Sequence, residues 1–358
     1  MQRNTLEDIP WWNQEHHAGR RERLISRNRI KSAIRSHMEA DGFIEVEAAQ
    51  LQISPGNETH LHGFAATIRS IDGKMADLYL HTSPEFACKK LLAAGETQIF
   101  DFARVFRNRE RGALHSPEFT MLEWYRAGKT YEMLMDDCAA ILQRTSACMG
   151  KAVWSFRDRR IDPLLQPERI TVADAFARFA NIDLLASVDG AETDRDHLAA
   201  QAKQAHIRVA DDDTWSDIFS RILVEKIEPL IGNERATILM EYPIPEAALA
   251  RRKPGSTKVA ERFELYACGV ELANAFGELT DAVEQRQRFQ SAMDLKQVIY
   301  GECYPVDEDF LRALAQMPEA SGAALGFDRL VMLATGASHI DDVLWTPVVD
   351  LFSGEASF

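Results

Sequence analysis

The stretch Arg104-Val105-Phe106-Arg107-Asn108-Arg109-Glu110-Arg111-Gly112 packs four arginines into nine residues, between two apolar, aromatic segments of strand length, Phe100 to Phe106 and Phe119 to Tyr125. Two such segments joined by the charged loop Arg107 to Pro117 predict a β-hairpin. A solvated hairpin tip tolerates such charges. A rigid hairpin also fixes arginine side chains, whose planar forks match phosphate oxygens bidentately. Downstream, Glu264, Glu271 and Glu278 recur every seven residues beside apolar strand positions. Carboxylates beside a nucleotide hold Mg²⁺, and they can also receive a cationic substrate. Arg329, after the Gly-rich run Ser321-Gly322-Ala323-Ala324-Leu325-Gly326-Phe327-Asp328, adds another phosphate-sized donor.

Outward from the hairpin, Ile30, Ala33, Ile34 and Met38 recur at helical spacing between Leu24 and Ala40, with Gly42 where a C-terminal cap would stand. A strand over Phe43 to Val46 follows, then two short strands between Gly63 and Leu80 about an Asp72-Gly73 turn. Ser83-Pro84-Glu85 opens a helix, with Ser at the cap and Glu in the first turn. From about 130 to 235 helices dominate: Tyr131 to Cys148, Val172 to Ala180, His197 to Ala205 and Trp215 to Ile227. Strands return at Thr237 to Glu241, Arg262 to Tyr266 and Val270 to Ala273, and a helix covers Asp281 to Ile299. The Gly-rich run reads as a strand entering a helix that continues through Leu333. Runs of strands interrupted by runs of helices predict α+β with a mostly antiparallel sheet.

The 358 residues carry 41 Lys plus Arg against 55 Asp plus Glu, a formal net charge of −14. That balance disfavours a general nucleic-acid binder and favours a basic partner. Five cysteines with no C-x-x-C pair fit reduced thiols in a cytoplasm. Met1 to Arg23 is polar, and no run approaches the ~18 apolar residues of a membrane helix, so a soluble cytoplasmic protein is expected. No two of the 19 glycines are separated by one residue, which excludes G-x-G-x-x-G. Gly128-Lys129-Thr130 would end a P-loop whose first glycine falls on Glu123. His60-Leu61-His62 reads as a surface strand pair, and Asp211-Asp212-Asp213 as a solvated helix entry.

Together these segments resemble the three motifs of class II aminoacyl-tRNA synthetases, in the lysine branch. Gly42-Phe43-Ile44-Glu45-Val46-Glu47 resembles motif 1. Arg104 to Arg107 with His115-Ser116-Pro117-Glu118-Phe119-Thr120-Met121-Leu122-Glu123-Trp124-Tyr125 resembles motif 2, and Gly322 to Arg329 resembles motif 3. The segment Glu271 to Glu278 matches Glu-x-x-Asn-x-x-x-Glu. The resemblance implies a single catalytic domain over 1–358, an antiparallel sheet flanked by helices with a helical insertion at about 150–235, and no N-terminal OB-fold anticodon domain. The nearest branch is the free-standing paralogues that attach lysine or (R)-β-lysine to a lysine side chain of translation elongation factor P. A minimal lysyl-tRNA synthetase and a catalytically silent regulatory paralogue are the rival readings.

By resemblance, the amino-acid carboxylate attacks the α-phosphorus of ATP and leaves an aminoacyl-adenylate. Arg107 would hold the α-phosphate and Arg329 the γ-phosphate. Gly326 would let the chain approach the nucleotide, and Glu264 and Glu271 would hold Mg²⁺. Asn108, Arg109, Ser116 and Leu265 match ATP-site positions. Ser83, Pro84, Glu85, Tyr125, Glu271, Asn274 and Glu278 match the lysine pocket, with Glu123 assisting. The resemblance further implies a homodimer, no stable tRNA binding and no membrane. In three places the chain departs from the motifs: Arg109 replaces the usual motif 2 Glu, leaving Glu110 or another group to recognise adenine; Ala49 replaces the motif 1 proline; and Ala324 replaces a glycine, which favours β-lysine over α-lysine.

Overall fold

The computed structural model describes residues 10–350. The ends of the 1–358 domain and the first nine residues of the polar leader therefore lie outside the described residues. Helix α1 spans Gln14–Ala40, and Asn13 Oδ1 caps it by accepting from the amides of Glu15 (3.1 Å) and His16 (3.2 Å). It begins ten residues before the expected Leu24, and in that added segment buried Arg20 donates to Asp341 O (2.6 Å) and Leu344 O. Arg27 pairs with Asp328, donates to Thr120 Oγ1 (2.8 Å) and lies over the Phe327 ring. A buried cation with partners can occupy a core position that apolar periodicity does not reveal.

After α1 come β1 (Ile44–Glu45), β2 (Leu51–Gln52), β3 (Phe64–Arg69), β4 (Met75–Leu80) and α2 (Glu85–Ala93). The expected hairpin is β5 (Gln98–Phe106) with β6 (Glu118–Ala127), followed by α3 (Tyr131–Met149). Segment 150–235 is more mixed than its helical reading. It holds β7 (Trp154–Phe156), β8 (Arg159–Ile161), β9 (Glu168–Thr171), α4 (Val172–Ala175) continuing as a π turn to Ala180, β10 (Val188–Asp189) and β11 (Glu192–Thr193). Helices α5 (Arg195–Gln204) and α6 (Trp215–Ile222) follow. Their core stacks Phe176, Phe219 and Trp215 with ring centroids 5.2 and 5.4 Å apart. The chain closes with β12 (Thr237–Met240), β13 (Arg262–Ala267), β14 (Val270–Gly277), α7 (Ala282–Tyr300), α8 (Glu308–Leu314), β15 (Ala320–Gly326) and α9 (Phe327–Thr335).

Eight strands form one sheet in the order β1-β5-β6-β15-β14-β13-β12-β9, antiparallel except at its two ends, where β1/β5 and β12/β9 are parallel. The expected α+β sheet flanked by helices is what forms. Strands β2-β4-β3 make a separate sheet. One face of the main sheet packs Leu122, Trp124, Leu265, Ala273 and Leu325 into the largest core, with α1, α3 and α9. The Asp211 cluster is a loop, in which Asp213 pairs with Arg221 and accepts from the Ala210 amide (2.7 Å). His60-Leu61-His62 is no surface pair: His62 is buried, and its Nδ1 lies 2.8 Å from Glu302 Oε2, a partner 240 residues downstream. All five cysteines are free, and no helix among the described residues is long and apolar enough to cross a membrane.

Candidate active site

Strand register builds the site. Asp101, Glu123, Ala324, Asn274 and Glu264 are successive Cα partners across β5, β6, β15, β14 and β13, so one row of the sheet carries three carboxylates and an amide. Two residues along, Tyr125, Gly322, Phe276 and Arg262 form a second row on the same face. Side chains two apart on a strand share a face. Above these rows lies a cavity of about 310 Å³, walled by the arginine hairpin, the start of α2 and the start of α9.

At one end of the cavity carboxylates crowd a single lysine. Lys89 Nζ, fully buried, lies 2.5 Å from Glu85 Oε1 and 2.6 Å from Glu278 Oε2. Glu123 accepts from Ser83 Oγ and from Tyr125 OH (2.7 Å). Burial, with Glu85 adding repulsion, nevertheless raises Glu123 to about 8, and burial also raises Glu278 against the pull of Lys89. The cluster is short of positive charge, which suits a cationic ligand. Gly322 is required here: a Cβ would come within 2.3 Å of the Tyr125 ring and 2.4 Å of Glu278 Oε1.

At the other end the arginines gather. Arg107 donates to Thr82 O (3.2 Å), stacks on Phe119 and stands 4.0 Å from Glu110. Arg329 donates to Leu114 O (3.2 Å), to Glu271 O (2.9 Å) and to His115 Nε2 (2.8 Å). Burial and Arg329 lower the His115 pKa, keeping that nitrogen an acceptor. Ser116 Oγ lines the same wall, buried and without a hydrogen-bond partner among the described residues. Glu264 accepts from Arg262 Nη2 (2.7 Å) and Tyr266 OH (2.7 Å). Desolvation and then Glu264 raise Glu271 to about 7, although its side chain remains partly exposed. Repulsion between these two carboxylates is what a divalent cation relieves, so the residues present fit one.

A family model described as "tRNA synthetases class II (D, K and N)" matches residues 13–349. The chain belongs to the class II tRNA synthetases. Among curated relatives, this synthetase is 37% identical over 329 residues to an "Elongation factor P--(R)-beta-lysine ligase" of Proteus mirabilis, covering 91% of this chain and 94% of that protein. Proteins of the same name from Erwinia tasmaniensis (38% identity, 90% and 93% coverage) and Haemophilus influenzae (36%, 90% and 93%) are similar over the same extent.

In this class II synthetase, Ser83, Glu85, Arg107, Ser116, Tyr125, Glu271, Asn274, Glu278, Gly326 and Arg329 all line the cavity. Pro84, Asn108, Arg109, Glu264 and Leu265 do not. Leu265 faces the core on the opposite side of the sheet from Glu264, as strand parity requires. Arg109 turns outward with φ +66°, pairs with Glu302 and lies over the Tyr300 ring. Glu110, which follows it, does line the cavity and faces Arg107. Gly326 meets no obstacle closer than 3.6 Å, leaving space above the N-terminus of α9.

Three groups escaped the sequence reading. Lys89 follows Glu85 by one helical turn, a spacing that signals a pair. Arg262 bridges Glu264 and Asn274 (3.3 Å) while lying over Tyr242, two residues from a carboxylate already singled out. Glu58, in the loop before β3, also lines the cavity.

Proposed function

We propose that this protein activates (R)-β-lysine with ATP as an aminoacyl-adenylate and transfers it to a lysine side chain of translation elongation factor P. The observation that carries this reading is the cavity's division into a carboxylate-rich end, short one or two cations, and an arginine end. A diamine whose carboxylate meets a triphosphate spans such a cavity. The names of the curated relatives agree.

Arg107 and Arg329 neutralise phosphate oxygens, and the fixed hairpin pre-aligns them before ATP arrives. Ser116 Oγ has a free donor for the nucleotide. Glu85, Glu123, Glu278 and Tyr125 hold the substrate ammonium groups, with Asn274 alongside. Ala324, between Asn274 and Glu123 in the sheet, narrows the floor by a methyl and favours the β-isomer. Glu264 and Glu271 would hold Mg²⁺, which when bound neutralises charge on the phosphates. A cytoplasmic homodimer through α1 and β1 completes the proposal; β1 is an edge strand that leaves Ile44 55% exposed.

Burial raises the Glu123 pKa to about 8, so before substrate binds its carboxyl is mostly protonated at pH 7. Arrival of a second ammonium lowers that pKa, so binding of (R)-β-lysine is expected to release protons. Calorimetry in buffers of different ionisation enthalpy reads this directly, and affinity should rise from pH 6 to 8. Buffer-independent heats would contradict the charge assignment. For the reaction itself, ATP–pyrophosphate exchange should run faster with (R)-β-lysine than with α-lysine, and labelled lysine should pass to elongation factor P and not to tRNA. Charging of tRNA instead would overturn the proposed acceptor.

A further inference from the structure

Every cavity carboxylate but one has a partner. Glu85 and Glu278 share Lys89, Glu123 holds two hydroxyls, Glu110 faces Arg107, Glu271 faces Arg329 and Asp328 pairs with Arg27. Glu58 has no hydrogen bond or ion pair among the described residues, yet it lines the cavity beside Arg107. Its loop is not free to wander. Lys296, buried on α7 and facing the Tyr300 and Tyr304 rings, donates to two carbonyls just after Glu58 in the chain, Thr59 O (2.9 Å) and Leu61 O (2.7 Å). Asn57 donates to Pro305 O (3.3 Å), Thr82 donates to Pro55 O, and the Asn108 amide donates to His62 O (2.7 Å). An unpaired carboxylate on a loop held at this many points is placed for a task that the adenylation residues do not perform.

We propose that Glu58 is the general base that deprotonates the acceptor lysine in the transfer step. This role rests on the reading of elongation factor P as acceptor. The incoming ε-ammonium gives one proton to the Glu58 carboxylate, and the freed lone pair forms the N–C bond to the adenylate carbonyl. The acyl C–O bond to phosphate then breaks, AMP leaves with the electron pair, and the second nitrogen proton passes to the departing phosphate. Glu58 later returns its proton to water. The charged groups around it are Arg107 and Glu110 of the hairpin, Glu85 of α2 and Arg262 of β13. Desolvation raises its pKa, Arg107 and Arg262 oppose the rise, and Glu58 is an exposed residue that an acceptor can reach.

The test separates the two half-reactions in Glu58→Gln. Transfer from adenylate to elongation factor P should fall by about 10²-fold or more. ATP–pyrophosphate exchange should keep its rate and its KM for (R)-β-lysine. Trapping of the adenylate by hydroxylamine, a nucleophile already unprotonated at pH 7, should run as in the native enzyme. Glu58→Asp should recover part of the transfer. Equal losses in exchange and transfer, or a raised KM for (R)-β-lysine, would make Glu58 a substrate ligand and overturn the proposal; so would undiminished transfer. A native enzyme that forms the hydroxamate but leaves elongation factor P unmodified would overturn the acceptor itself, and Glu58's role with it.

Discussion

Arg107→Glu abolishes adenylate formation. Removing one fixed donor from a developing charge costs about 10²–10³-fold in rate, and reversing its sign costs more. ATP–pyrophosphate exchange should therefore fall at least about 10³-fold. The fold should survive, because Arg107 is partly exposed and its fixed contacts are one carbonyl, one ring face and a distant carboxylate. Unchanged thermal unfolding together with lost exchange is the expected pair of results. An active Arg107→Glu protein would contradict the phosphate assignment.

Lys89→Met should instead be felt in stability. Lys89 is fully buried; burial works against its charge, and Glu278 and Glu85 more than offset that, raising its pKa. Breaking a buried ion pair by removing one partner costs about 3–5 kcal/mol, because the remaining charge is stranded. Two carboxylates are stranded here, and in the variant the Glu278 pKa, already raised by burial, rises further above that of the unfolded chain. The folded state then holds protons that the unfolded state has released, so stability falls as pH rises from about 4.5, the ordinary glutamate range, through neutrality. Denaturant unfolding at pH 5 and pH 8 checks this, with the larger deficit expected at pH 8. Native stability in the variant at both values would show that Glu85 and Glu278 do not depend on Lys89.

The β5–β6 hairpin, the β13–β14 pair and the strand-to-helix passage at Gly326 were legible because two-residue alternation and glycine placement are local properties. The cavity's arginines and carboxylates followed from them. Strand parity alone separates Glu264 from Leu265. What was not legible depends on distant partners. Lys89 and Lys90 are neighbours of the same type, yet Lys89 faces Glu278 in the core while Lys90 reaches Asp307 at 2.8 Å, more than 200 residues away. His62 is buried by the Tyr300 ring at the end of α7 and by Glu302 just beyond it. The early start of α1 comes with buried Arg20 donating to Asp341 O and Leu344 O, and Glu58 sits at the cavity on a loop held by Lys296, Asn57 and Thr82. β9 is four residues long and read as part of a helical region, yet it extends the main sheet by parallel pairing with β12.

The most direct measurement is the intact mass of elongation factor P incubated with this protein, ATP, Mg²⁺ and (R)-β-lysine. The account predicts a gain of one lysyl unit on the factor, faster than with α-lysine and absent without ATP. An unchanged mass, in a mixture where pyrophosphate exchange proves that the adenylate forms, would contradict the assignment of elongation factor P as the acceptor.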